Sequence, residues 1–160
     1  MPNTYTQLYA QLVFAVKGRQ NLIPKNRKEE LHKYISGIVA ERGQKLMAVH
    51  CMPDHAHLFV GFLPTIALSD LVHDVKRATS LWIKDQQMVK GKFYWQDGFG
   101  AFTYNQSQIY RVVEYVLNQE EHHRKRTFQE EYIDFLTKFE VPFEPRYLFD
   151  FYDAESEPEC

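Results

Sequence analysis

The chain has 160 residues, 44% hydrophobic and 25% charged, the size and composition of one domain with a packed core rather than a disordered or fibrous chain. No run reaches the roughly 18 apolar residues of a membrane span, no signal peptide is evident, and Cys51 and Cys160 are too few for a disulfide framework, so a reducing, cytoplasmic setting is expected. The net charge of −2 averages two unlike parts: residues 1–126 hold 17 Lys and Arg against 11 Asp and Glu, while residues 127–160 hold 2 against 10, so a mildly basic body suited to a phosphate-bearing partner precedes an acidic tail.

In chain order, Tyr5 to Val16 reads as a first strand, rich in aromatic and β-branched residues. Lys25 to Arg42 reads as a helix, with Leu31, Tyr34, Ile35 and Ile38 at helical spacing and Gly43 at its end. Lys45 to Cys51 is a second strand, Pro53-Asp54 a turn, and His57 to Leu63 a third strand, apolar on both faces and so expected at the centre of a covered sheet. Leu68 to Lys84 reads as a helix with Ser69 as candidate N-cap. A loop from Lys90 leads to a fourth strand near Ala101 to Tyr104. Helices follow over Ser107 to about Arg124 and Thr127 to Phe139, and Pro142 and Pro145 then break the chain. The order β-α-β-β-α-β predicts an α+β, ferredoxin-like split sheet. Residues 1–140 form the domain and 141–160 an acidic C-terminal tail, which could pack on the body, mimic nucleic acid or stay partly disordered.

The run Met52-Pro53-Asp54-His55-Ala56-His57 carries the most chemistry. Side chains alternate faces along a strand, so His55 and His57 point the same way and form half of a metal site. On the third helix, Tyr115 flanks the apolar stripe of Ile109, Val112, Val113 and Val116, with Arg111, Gln119 and His122 on the same flank. A phenol and a carboxamide one turn apart then face one patch of space. Gln119 can offer an oxygen to a cation and Tyr115 a nucleophile. The competing reading makes Tyr115 a boundary tyrosine with its hydroxyl in water. Cys51, four residues before His55, leaves open a zinc site of Cys-His-His type. His122-His123 with Arg124-Lys125-Arg126 reads either as stabilisation of a helix C-terminus or as a phosphate contact.

Three segments together, Met52 to Leu58, the aromatic loop Phe93-Tyr94-Trp95-Gln96-Asp97-Gly98-Phe99, and Tyr115-Val116-Leu117-Asn118-Gln119, resemble the single-tyrosine HUH transposases of prokaryotic insertion sequences. The resemblance runs from about Tyr5 to Phe128. It implies an enzyme that cuts and rejoins single-stranded DNA through a 5′-phosphotyrosine intermediate, with Tyr115 as nucleophile. It also implies that His55, His57 and Gln119 hold one divalent ion, Mg²⁺ or Mn²⁺, that the DNA bears hairpins, and that the enzyme is a homodimer in which the tyrosine helix of one subunit completes the site of the other. Lys76, Arg77, Lys84, Lys90, Lys92 and Arg111 are the candidate phosphate contacts, with Tyr94, Trp95 and Phe99 as stacking or core rings. No general base for the phenol is evident. The alternatives are a domesticated relative that processes genomic repeats, a ferredoxin-like nucleic-acid-binding module without catalysis, and a small zinc hydrolase built on Cys51.

Overall fold

The computed structural model describes residues 3–18 and 22–151; Tyr152, Cys160 and the rest of the acidic end lie outside the described residues. The order of elements is β1 (Tyr9–Lys17), α1 (Lys28–Glu41), β2 (Lys45–Met52), β3 (His55–Gly61), α2 (Leu68–Asp85), β4 (Tyr94–Trp95), β5 (Gly100–Thr103), α3 (Ile109–Leu117), α4 (Gln119–Lys125) and α5 (Phe128–Lys138). The sheet runs β2-β3-β1, and the far edge of β1 pairs with both β4 and β5, every pair antiparallel. This is the expected α+β, ferredoxin-like arrangement.

Pro53-Asp54 joins β2 and β3 as a tight turn, so β3 starts at His55, two residues earlier than expected, and both histidines stand inside the ladder. His55 lies between Ala15 and Met52, and His57 between Val13 and His50. The period of two then sorts β3 cleanly. Ala56, Leu58 and Val60 join the core with Leu12 and Phe14 of β1 and with Leu31, Ile35, Leu71 and Val75 of α1 and α2. His55, His57 and Phe59 face the other side, which α3 and α5 cover through Val112, Val116, Phe128 and Phe135 and α4 through His123. We call these the back and front layers.

Three local expectations are corrected. Ala67, not Ser69, is the N-cap of α2, so Ser69 lies inside the first turn. The helix expected over Ser107 to Arg124 is two helices after a 3₁₀ turn (Gln106–Gln108): Asn118 (φ −99°, ψ 27°) leaves helical geometry and separates α3 from α4. The loop before the last strand contains the short strand β4, which pairs Trp95 with Val16. The described part of the tail packs on the body. Phe149 is buried against Phe128 and Tyr132, and the Gln96 carboxamide donates to Asp150 O (2.8 Å) and accepts from Asp150 N (2.7 Å). Among the described residues, no helix is long and apolar enough to cross a membrane.

Candidate active site

Three elements of the front layer bring four ligand atoms together. His55 and His57 come from β3, His123 from α4 and Glu131 from α5, and one donor atom of each lies within 4.8 Å of the others. Both strand histidines and Glu131 are fully buried. Each strand histidine spends Nδ1 on an outer partner. His55 Nδ1 donates to Asp54 Oδ1 (2.7 Å), and His57 Nδ1 donates to Gln11 Oε1 (2.7 Å). Those contacts orient the rings and leave both Nε2 atoms facing the cluster. Nε2 of His55 is buried without a hydrogen-bond partner, 3.9 Å from Glu131 Oε1. A buried, lone-pair-bearing nitrogen of this kind is unfavourable unless something electron-poor meets it, and three imidazoles with a carboxylate are a donor set for a divalent transition metal.

Glu131 ties the cluster to the tyrosine. Its Oε1 accepts from His57 Nε2 (2.9 Å) and His123 Nε2 (3.2 Å). Its Oε2 accepts the Tyr115 hydroxyl hydrogen. Burial alone would raise this carboxyl's pKa. The adjacent His57, His123 and His55 override that effect and hold it well below the usual carboxylate range. Tyr115 is shifted the other way: burial first, then the Glu131 carboxylate, push its phenol above the ordinary tyrosine value. Arg126 opposes this, donating from Nη2 to the phenol oxygen at 3.1 Å. His122 stacks on the Tyr115 ring (centroids 4.4 Å, 24°), so the flank expected for Tyr115 and His122 persists across the break at Asn118. Burial also depresses the pKa of His55, against the upward pull of Asp54.

Gln119 is fully buried beside this group. Its Nε2 donates to Tyr115 O (3.2 Å), and its Oε1 sits 3.1 Å from His123 Nε2. It thus borders the four-residue cluster through His123. Cys51 is buried, its thiol pushed up to about 12 by burial, and its backbone N–H donates to His32 Nε2. It is outside the cluster.

The candidate phosphate contacts divide between the two layers. Arg111 lies on α3 and, with Tyr115 and Arg126, lines one front cavity. Lys76, Arg77 and Lys84 lie on α2 in the back layer, and Lys90 and Lys92 on the loop after it. The Lys76 ammonium donates to Gln96 O (2.8 Å) and Gly98 O (2.6 Å), fastening the aromatic loop, and Gly98 takes a left-handed φ of 84° there. Trp95 is core: its indole N–H donates to Thr79 Oγ1 (2.9 Å) and its ring meets Phe14 edge-on. Tyr94 is exposed and Phe99 half-buried.

His123 and Glu131 were not among the residues expected in this cluster. Glu131 had a signal. It sits three residues after Phe128 and one before Tyr132, inside the stripe Phe128, Tyr132, Phe135 and Leu136, where a carboxylate must be paired. His123 follows Gln119 by one helical turn, but within a run of basic residues at a helix end it looked like dipole compensation.

Comparisons with known proteins bear on the family and the fold. The chain matches the family described as "Transposase IS200 like" over residues 4–119. It is 24% identical over 118 residues to the ISDra2 transposase TnpA of Deinococcus radiodurans, a match covering 71% of this chain and 84% of that protein. A crystal structure of a putative transposase from the same organism superposes with a TM-score of 0.54 at 22% identity, covering 73% of this chain and 94% of the other. A REP-associated tyrosine transposase bound to a REP hairpin superposes with a TM-score of 0.56 at 14% identity, over 99% of this chain and 96% of the other. With the family match spanning well over half of its length, the chain belongs to the IS200-like transposase family.

Proposed function

We propose that this protein cleaves and rejoins single-stranded DNA by transesterification, with Tyr115 as nucleophile and a divalent ion as cofactor. One observation carries the reading: a single buried carboxylate, Glu131, touches both the tyrosine hydroxyl and the histidine cluster, so nucleophile and cation cage share one centre. The phenol oxygen attacks the scissile phosphorus. A P–O(Tyr) bond forms, the P–O3′ bond breaks, and a free 3′-hydroxyl leaves, producing a 5′-phosphotyrosine. Glu131 Oε2 is the acceptor that the phenolic hydrogen already faces, and Arg126 offers its guanidinium to the charge that builds on the tyrosine and phosphate oxygens. A later 3′-hydroxyl reverses the exchange, so bond energy is conserved and no nucleotide energy source is needed.

His55, His57 and Gln119 remain the proposed ligands, joined by His123 and Glu131 as further donors. Bound there, a divalent ion would neutralise phosphate charge and align phosphorus with the phenol. The nitrogen-rich set favours Mn²⁺ over Mg²⁺. Arg111 would contact the single strand near Tyr115. Arg77, Lys84, Lys90 and Lys92 would contact the backbone of a hairpin. As a homodimer, the protein would hold two hairpin-bearing DNA ends together. Acting on genomic DNA, with Cys51 free, fits a cytoplasmic enzyme. A second reading, processing of genomic repeats in place of transposition, gains support from the fold likeness to the REP-associated transposase, which covers 99% of this chain.

The test is incubation of the protein with single-stranded oligonucleotides from both flanks of its gene, plus Mn²⁺ or Mg²⁺. A covalent protein–DNA adduct is expected on denaturing gels, absent in Tyr115→Phe and in His55→Ala/His57→Ala. An adduct that survives Tyr115→Phe, or cleavage without any adduct, overturns the reading.

A further inference from the structure

Beside the nucleophile, α3, α5 and Tyr104, which follows β5, line a cavity of about 350 Å³ that opens onto Tyr115. Its volume lies at the lower end of the roughly 300–1,000 Å³ typical of small-molecule sites. We propose that it receives one deoxynucleotide of the cut strand, the one adjoining the scissile phosphate, with its base stacked on the uncovered face of Phe139 beside Tyr104. The inference rests on the reading of Tyr115 as nucleophile and names part of its substrate.

The walls match a nucleotide in three ways. Tyr104 and Phe139 meet edge to face (5.4 Å, 79°), and Phe139 remains 37% exposed, an uncovered ring at the rim available for stacking. The charge is complementary to a phosphodiester. Arg111, Arg126 and Lys138 line the cavity against a single carboxylate, Asp134, which Arg126 (3.2 Å) and Lys138 (3.1 Å) already neutralise. Arg111 has no carboxylate partner among the described residues. Finally, the cavity is continuous with the reacting centre. Tyr115 forms part of its wall, and Arg126 bridges from Asp134 to the phenol oxygen.

The floor of the cavity also connects to the metal cluster. The Gln11 amide donates to the Tyr104 hydroxyl (3.1 Å) while its oxygen accepts from His57 Nδ1. A base beside Tyr104 therefore lies two hydrogen bonds from a proposed ligand, which gives the enzyme a physical route to favour cutting where the correct nucleotide is seated.

Two measurements test the inference. In the first, flanking oligonucleotides carry a single abasic site moved one position at a time past the cut. One position adjoining the broken bond is expected to lower the adduct rate about tenfold, and Phe139→Ala or Phe139→Leu to lower the rate on intact DNA and abolish that sensitivity. Circular dichroism verifies that the variants fold. If no position shows sensitivity that depends on Phe139, the inference falls even though Tyr115 chemistry stands. In the second, Tyr115→Phe protein is irradiated with oligonucleotides bearing 5-iodo-2′-deoxyuridine at successive positions. Cross-links to the peptides carrying Tyr104 or Phe139 support the cavity even if no adduct ever forms, in which case only the catalytic reading fails. Cross-links confined to other surfaces, such as Tyr94, or no cross-links at all, overturn it.

Discussion

Alternate residues of one strand meet opposite environments. Ala56, Leu58 and Val60 on the back of β3 and His55 and His57 on its front are all fully buried. The back is apolar, and burial there is favourable in itself. The front buries two imidazoles and the Glu131 carboxylate, groups whose burial is unfavourable until every one has a partner. The back layer holds the sheet rigid and the front layer spends that rigidity on holding polar groups in fixed positions. Chemistry and cohesion are thus separated by one residue of register.

The largest expected effect separates these roles. Replacing Tyr115 by phenylalanine deletes one hydroxyl of the front layer and keeps the ring, while Glu131 stays held by His57 and His123. Folding free energy should stay within about 1.5 kcal/mol of the parent, while adduct formation drops by at least about 10³-fold. Leu58→Ala should do the reverse, costing about 3 kcal/mol in urea denaturation and leaving the adduct rate per folded molecule nearly unchanged. Loss of activity in Leu58→Ala at full folding would break the separation.

Cation binding should read out on the front alone. Mn²⁺ at about a hundred times its Kd should stabilise the chelator-treated protein by about 2.7 kcal/mol, a rise in Tm of about 5–10 °C for a domain of this size. Leu58→Ala should begin lower and gain the same increment, whereas His55→Ala should gain little. An equal rise in His55→Ala would place the cation elsewhere.

Acid should also act through the front. Burial first, then the nearby Lys28 charge, lowers the pKa of His50 to about 4, and its Nε2 is buried without a hydrogen-bond partner. Its folded pKa lies below the ordinary imidazole value, so the unfolded chain takes up the proton first as pH falls. The stability contribution is therefore complete above about pH 6.5 and is lost between there and about 4. Asp54 and Glu131, whose pKa values are also lowered, contribute above the usual carboxylate range and lose their contribution below it. Thermal melts from pH 8 to 4 should show the first decline in the parent and a flatter curve in His50→Phe. Thr79→Val, on the back, should shift the whole curve without changing its slope.

What could be read in advance follows the same division. Strand alternation made the facing of His55 and His57 legible, and the apolar stripe of α3 made Tyr115 and its flank legible, because each depends on local periodicity. Glu131 was not, because its meaning arises only when α5 folds back over β3, a contact across 74 residues. The break at Asn118 escaped for a related reason: the pattern is helical on both sides, and one residue of altered geometry leaves no trace in it. Lys76 read as a phosphate contact because a lysine on an exposed helix usually faces water, whereas here two backbone carbonyls of the aromatic loop take its hydrogens. The chemistry of the loop was visible; which cation fastened it was not.

The smallest effect probes how Glu131 is aimed. Thr127 caps α5: its Oγ1 accepts from Glu130 N (3.2 Å), and Thr127 N donates back to Glu130 Oε1 (3.3 Å), one residue before Glu131. Thr127→Ala removes the side-chain half of this box and should cost about 1 kcal/mol, lowering Tm by about 2–4 °C. Glu131 is also gripped by His57, His123 and Tyr115, three contacts that do not pass through the cap. The adduct rate, measured well below the melting temperature, should therefore change by less than about twofold. A tenfold fall would mean that the first turn of α5, rather than the polar cluster it enters, sets the position of the carboxylate.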